Sequence, residues 1–166
     1  MTDISKLSNI YDVREMHEND AVSILELCRK NVQYYLYCEA QPTKEQILSD
    51  LKLTPPGIGP ELKHYAGFYQ GDILVAVMDL IDGYPEENIA FIGFFMMNAD
   101  MQGRGIGSAI IEEIAAFLKT AGKTSIRLAI DKDNPQSTHF WKKNGFAVIS
   151  EVDRDGHALL VAERML

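Results

Sequence analysis

Hydrophobic positions along the chain change period several times, and each change marks an element. Tyr11 to His17 reads as a short strand. The helical period takes over after Asn19 or Asp20, either of which can cap a helix carrying Ala21, Ile24, Leu25 and Cys28 on one face. Thr43 followed by Gln46 is a capping-box pattern that opens a second helix, with Ile47, Leu48 and Leu51 together. Three prolines and two glycines between Leu53 and Pro60 make that stretch a loop. Strand-like runs from His64 to Tyr69 and from Ile73 to Ile81 flank Gln70-Gly71-Asp72, a hairpin signal. After a polar turn from Asp82 to Asn88, the segment Ile89 to Met97 is almost wholly apolar and too short for a typical helix. It predicts a central strand buried on both faces.

The second half is easier to read. Ile111, Ile114, Ala115 and Leu118 share one face of a helix that follows Gly107, with Glu112, Glu113 and Lys119 elsewhere and Gly122 just past its end. Ser125 to Asp131 alternates as a strand. Asn134-Pro135 is an N-cap followed by proline at the first helical position, and that helix stops at Gly145. Strands are predicted from Phe146 to Val152 and from His157 to Arg164, with Asp155-Gly156 turning between them. This order predicts an α/β fold with a mixed sheet of six to seven strands and helices on both faces. The 166 residues fit one domain, with its core from about residue 11 to residue 164.

Composition narrows the function classes. With 46% hydrophobic and 24% charged residues the chain resembles an ordinary soluble globular protein. It has neither a signal-like N-terminus nor an apolar run of the roughly 20 residues that span a bilayer, so it is expected to be cytoplasmic with no membrane partner. A formal net charge of −8 argues against general nucleic-acid affinity, which comes from Lys and Arg on phosphates. The same field favours cationic substrates. Cys28 and Cys38 make no metal-ligand pattern, and His17, His64 and His157 are scattered, so no metal is expected.

The chemistry concentrates between Asn98 and Ser108. An apolar strand runs into a turn with glycine at 103, 105 and 107, and an amphipathic helix begins at once. Glycines let a ligand approach the backbone, and the free N–H groups of a helix's first turn attract anions. A phosphate or pyrophosphate is therefore expected on the amides of residues 103 to 108, aided by Arg104 and the Ser108 hydroxyl. A Walker loop is excluded, because no Gly-Lys-Ser/Thr is present; the dinucleotide fingerprint is excluded, because these glycines alternate strictly. The competing explanation is a helix entry that uses its glycines only for a tight turn.

Gln102-x-x-Gly105-x-Gly107 resembles the Q/R-x-x-G-x-G/A signature of the GNAT superfamily of N-acetyltransferases. Downstream, Asn134-x-x-Ser137-x-x-Phe140-Trp141-x-Lys143-x-Gly145-Phe146 resembles that family's N-x-x-A-x-x-F-Y-x-K-x-G-F block. The resemblance implies acetyl-CoA as co-substrate, with its pyrophosphate on Gln102, Gly103, Arg104, Gly105, Ile106, Gly107 and Ser108. It implies a pantetheine arm lying between two splayed parallel strands, Ile89 to Met97 and Ser125 to Asp131, and pairing near Met96 and Met97. The acetyl carbonyl would then meet the amide of Phe95 or Met96 as an oxyanion donor. Asn134, Phe140 and Trp141 would line the same ligand, and Lys142 and Lys143 would meet its 3′-phosphate, although core packing explains Phe140 and a solvated helix face explains the lysines. Tyr34, Tyr35 and Tyr37, read as the end of the first helix, fall where the family builds its acceptor pocket.

Two departures leave the catalytic groups open. Trp141 stands where many relatives place a tyrosine acid, and an indole N–H has no useful acidity. Phe91 stands where a few carry a glutamate base. An alkylammonium with a pKa of about 10 must lose a proton before it attacks. The carboxylates on or before the central strand are Asp79, Asp82, Glu86 and Glu87, each also explained as a turn charge. His139 reads as a half-exposed helix histidine. The leading expectation is direct acetyl transfer to an amine of a small molecule or peptide, with a homodimer left open. A non-catalytic acyl-CoA sensor or scaffold is the alternative, and an unrelated phosphate-binding domain is a third.

Overall fold

Alternation along the apolar runs decides which strands can share a sheet, and seven do. In the computed structural model, which describes residues 2–38 and 40–166, they are β1 (Asp12–Glu15), β2 (Lys63–Gln70), β3 (Ile73–Asp82), β4 (Ile89–Met97), β5 (Ser125–Asp131), β6 (Ala147–Arg154) and β7 (His157–Met165). Their spatial order is β1-β2-β3-β4-β5-β7-β6. Every neighbouring pair is antiparallel except β4 and β5, so the sheet is mixed, as expected.

Helices cover both faces. Helix α4 (Ile106–Thr120) sets Ile110, Ile111, Ile114 and Leu118 against Leu80, Ile92, Ile126 and Leu128, and α5 (Pro135–Lys143) adds Trp141. On the other face α1 (Ala21–Arg29) and α3 (Lys44–Asp50) bury Ile24, Cys28 and Ile47 against Tyr65, Val77 and Met96. Most side chains in both clusters are under 5% exposed, and each fully buried Leu or Ile contributes roughly 1.5–3 kcal/mol. The edge strand β6 leaves Val148, Ile149 and Val152 exposed.

Three local expectations need correcting. The first helix ends at Arg29, and Tyr34 and Tyr35 sit on a separate short helix α2 (Val32–Tyr35), with Tyr37 beyond it. Asn31 makes the break: its ψ of 59° leaves the helical region, and its side-chain amide donates to Leu27 O and Met97 O at 2.9 Å each. Asp20 makes no capping bond to α1, because its carboxylate accepts the His17 N–H at 2.8 Å. Thr43 does accept the Gln46 N–H at 3.2 Å, but the Gln46 side chain turns to Asp50, so only half a capping box forms.

The feature that positions the site is a split in the sheet. Strands β4 and β5 pair only through Ile89–Ile92 and Ser125–Leu128. Opposite β3, Asp79 faces Phe94 while Leu80 faces Ile92, which leaves Gly93 as the extra residue of a bulge. A bulge bends its strand and sharpens its twist, so the rest of β4 diverges from β5. The glycine leaves room for Asp79, whose Oδ2 would lie 2.8 Å from a Cβ at this position and would have to shift for a larger residue. Burial of β4 on both faces therefore fails at mid-strand: Gly93 is exposed and Phe94 and Phe95 are half-buried, while across the gap Ala129 is exposed. No helix among the described residues is long and apolar enough to cross a membrane.

Candidate functional site

Asn98 ends β4 and starts the turn. Its N–H donates to Val75 O at 2.7 Å, and its side-chain oxygen accepts the Asp100 N–H at 3.1 Å. One 3-10 turn later the chain reaches its three glycines, which act in two ways. Gly103 and Gly105 have φ of 75° and 77°, a conformation that costs other residues about 1–2 kcal/mol, and a Cβ on either meets no atom within 4 Å. Gly107 is needed for close packing: a Cβ there would sit 3.2 Å from Phe140 Cε2 and 3.4 Å from Met97 Cγ. Among the described residues, no backbone N–H from Gly103 to Ser108 donates to a protein acceptor, and Ala109 is the first to do so, to Gly105 O at 3.0 Å. Six free donors at the positive end of a 15-residue helix suit a diphosphate.

A cleft of about 350 Å³ runs from this turn between the free end of β4 and α5. It brings together every expected binding residue except Arg104 and Lys142: Met96, Met97, Gln102, Gly103, Gly105, Ile106, Gly107, Ser108, Asn134, Phe140, Trp141 and Lys143 line it. Arg104 points away and donates to Asp100 O at 3.2 Å. Asn134 is almost fully buried as the N-cap of α5, accepting the Ser137 N–H at 3.0 Å. Trp141 is buried within 5.0–6.0 Å of the Phe140, Phe146 and Phe95 rings, so it forms the cleft floor and the core at once. His139 also lines the cleft, as do Tyr34 and Asn31. Sequence reasoning missed Asn31. It accepts from Gln102 Nε2 at 2.6 Å and thereby ties the turn to α1 and to the end of β4, a bond spanning 71 positions that no local pattern announces.

Strand alternation decides which backbone groups face the split. Because Asn98 bonds β3, Met96 and Phe94 turn their backbone groups toward β3 as well, and Phe95 and Met97 turn theirs toward the gap. Of the two amides expected to receive a carbonyl oxygen, that of Phe95 faces the gap and that of Met96 faces β3. The backbone groups that face the gap are those of Phe95 and Met97, not Met96, and Met97 O already accepts from Asn31.

The four candidate carboxylates separate by position. Asp82 faces Ala90, and Glu86 and Glu87 occupy the exposed turn before β4. Five residues of strand, about 17 Å, lie between Ala90 and Phe95, which puts these three at the far end of the sheet. Burial works to raise the Asp82 carboxyl, but its bonds to Lys123 and Thr2 win and hold it below the usual range. Asp79 alone lies level with the split, on the α1–α3 side. It is clamped by Lys63 Nζ at 2.8 Å to both oxygens, and burial raises its pKa against the pull of that lysine. Phe91 packs on Tyr84 with centroids 5.3 Å apart. On the same side Tyr34 meets Phe94 edge-on at 6.1 Å, and its phenol is pushed up chiefly by burial. No group of three or more His, Cys, Asp or Glu is placed to hold a metal among the described residues.

Two parallel strands that part beside a largely apolar cleft, with a turn of free amides at the cleft's end, define a class of α/β protein that can receive an extended anionic carrier edge-on. The comparisons agree. Residues 24–146 match the model of the Acetyltransferase (GNAT) family, and the chain belongs to that family. An uncharacterized N-acetyltransferase of Staphylococcus saprophyticus is 34% identical over 105 residues, covering 58% of this chain and 66% of that relative, just under two thirds of its length. An acetyltransferase of Thermus thermophilus has the same fold at a TM-score of 0.75, with 25% identity over 94% of this chain and 97% of its own. The PaiA N-acetyltransferase of Thermoplasma acidophilum, solved with coenzyme A, gives 0.67 at 18% identity over 94% and 99%.

Proposed function

We propose that this chain transfers the acetyl group of acetyl-CoA directly to an amine of a small molecule or peptide. The observation that carries this reading is the run of free amides from Gly103 to Ser108, set at the mouth of the split. Acetyl-CoA supplies an acyl group already activated as a thioester. The chain's own groups do the rest. The amides of the glycine turn hold the diphosphate, and the backbone of Phe95 and Met97 offers a strand edge for the amide-bearing arm. The Phe95 N–H donates to the carbonyl oxygen as negative charge gathers there.

The acceptor reaches the split from the α1–α3 face, where Gly93 and Ala129 leave it open and Tyr34 and Phe94 form an aromatic wall suited to a cation. Attack is direct. A relay through cysteine would need a thiolate, and burial raises the pKa of both Cys28 and Cys38. Trp141 donates no proton, so the departing sulfur takes one from the nitrogen through solvent.

The test pairs calorimetry of acetyl-CoA binding with thiol release across polyamines, aminoglycosides, amino-acid amides and short peptides with free N-termini. Binding with amine-dependent release is expected. Binding without release from any amine would indicate a sensor, and no binding would remove the site itself.

A further inference from the structure

The amine's proton needs a destination, and none of the four carboxylates considered so far offers a free one at the split. Alternation along β5 puts Ile126, Leu128 and Ile130 in the α4 core and turns Ser125, Arg127, Ala129 and Asp131 to the opposite face. That is the face on which the split opens. Asp131 lies one strand period, about 7 Å, beyond the exposed Ala129. Its Oδ2 is 2.8 Å from Nε2 of His157, the first residue of β7. The carboxylate is mostly covered, with a side-chain exposure of 16%, while the imidazole keeps 35%, so one partner is fixed and the other is reachable. With Nε2–H donating to the carboxylate, Nδ1 carries the free lone pair, and no described residue donates to it.

We propose that His157 is the proton acceptor for the incoming amine and that Asp131 is the residue that positions its ring. This rests on the acetyl-transfer reading above. Protons and electrons balance as follows. The ammonium gives one proton through water to His157 Nδ1, and the freed nitrogen pair forms the C–N bond. The C–S bond breaks with its pair on sulfur, which takes a second nitrogen proton through solvent. His157 returns its proton to bulk water. The sum is ammonium plus acetyl-CoA to N-acetyl amide, CoA thiol and one proton.

The groups facing the pair suit the role. The charged groups beside the ring are Asp131 on β5 and Arg154, the cross-strand neighbour on β6. From α2 and the segment after it come Tyr34 and Cys38, both uncharged, pushed up first by burial and further by the Asp131 charge. Lys132 is engaged by Glu151 at 2.8 Å.

The experiment uses the full chain and the amine of the panel that the wild type turns over fastest. His157→Gln should lower kcat by about 30-fold or more with the acetyl-CoA Kd within about twofold, and the rate should then keep climbing with pH where the wild type levels off. Asp131→Asn should lower kcat less and distort the same profile. His157→Ala should be partly rescued by free imidazole in the buffer, which a merely structural role would not allow. A His157→Gln enzyme with the wild-type kcat and pH profile would overturn the assignment. A wild type that binds acetyl-CoA and acetylates nothing would instead overturn the transfer reading, and this proposal with it.

Discussion

Gly105 and Gly107 stand two residues apart and are glycines for different reasons, which separates two kinds of damage. At Gly105 the surrounding space is open and the backbone is left-handed, so Gly105→Leu loses about 1–2 kcal/mol from backbone strain. The new side chain then stands among the free amides. Acetyl-CoA binding should fall below detection in calorimetry while circular dichroism stays native; unchanged affinity would count against the site. The motif was legible because a glycine turn between an apolar strand and an amphipathic helix is a local pattern. Arg104 was legible as a residue and not as a direction: its guanidinium caps Asp100 O, a choice set by turn geometry. Asn31 and the Asp131–His157 pair were invisible, since each depends on contacts between segments far apart in the chain.

Whole elements were read more accurately than their environments. The limits of β4 and β5 match those expected, because turn residues bound both strands. The bulge at Gly93 was not foreseen, and with it went the expectation of a strand buried throughout; a glycine in an apolar run does not by itself say that its strand bends. The same stretch holds the buried Lys63–Asp79 pair, and Lys63→Met tests it. Burial raises the Asp79 pKa, and removing the lysine raises it further, so the uncompensated charge is costly above that raised value and disappears once the carboxyl is protonated in both the folded and unfolded states. Urea unfolding should show a loss of about 3 kcal/mol near pH 7 that shrinks toward pH 4. A loss independent of pH would mean that packing, not charge, accounts for it.

The net charge of −8 acts on the molecule as a whole. It works against an anionic carrier, whose retention the proposed reading leaves to the local donors of the glycine turn, and it favours a cationic acceptor. For a di- or tricationic amine, kcat/KM should fall several-fold between about 50 and 300 mM salt as screening shortens the field, with kcat little changed. A salt-independent kcat/KM would place the acceptor's recognition in apolar contacts. Fold class could be read at this scale because it follows from the sequence of periods; the strand order, with β7 inserted between β5 and β6, could not. Nor could the acceptor, since the site proposed for it draws on α2, β4, β5 and β7, which lie far apart in the chain.

The most direct measurement is a crystal structure of the chain grown with coenzyme A. The diphosphate oxygens should lie within about 3 Å of the amide nitrogens between Gly103 and Ser108, with the arm bonded to Phe95 in the gap between β4 and β5. A diphosphate bound elsewhere, or an arm lying outside that gap, would contradict the proposed site.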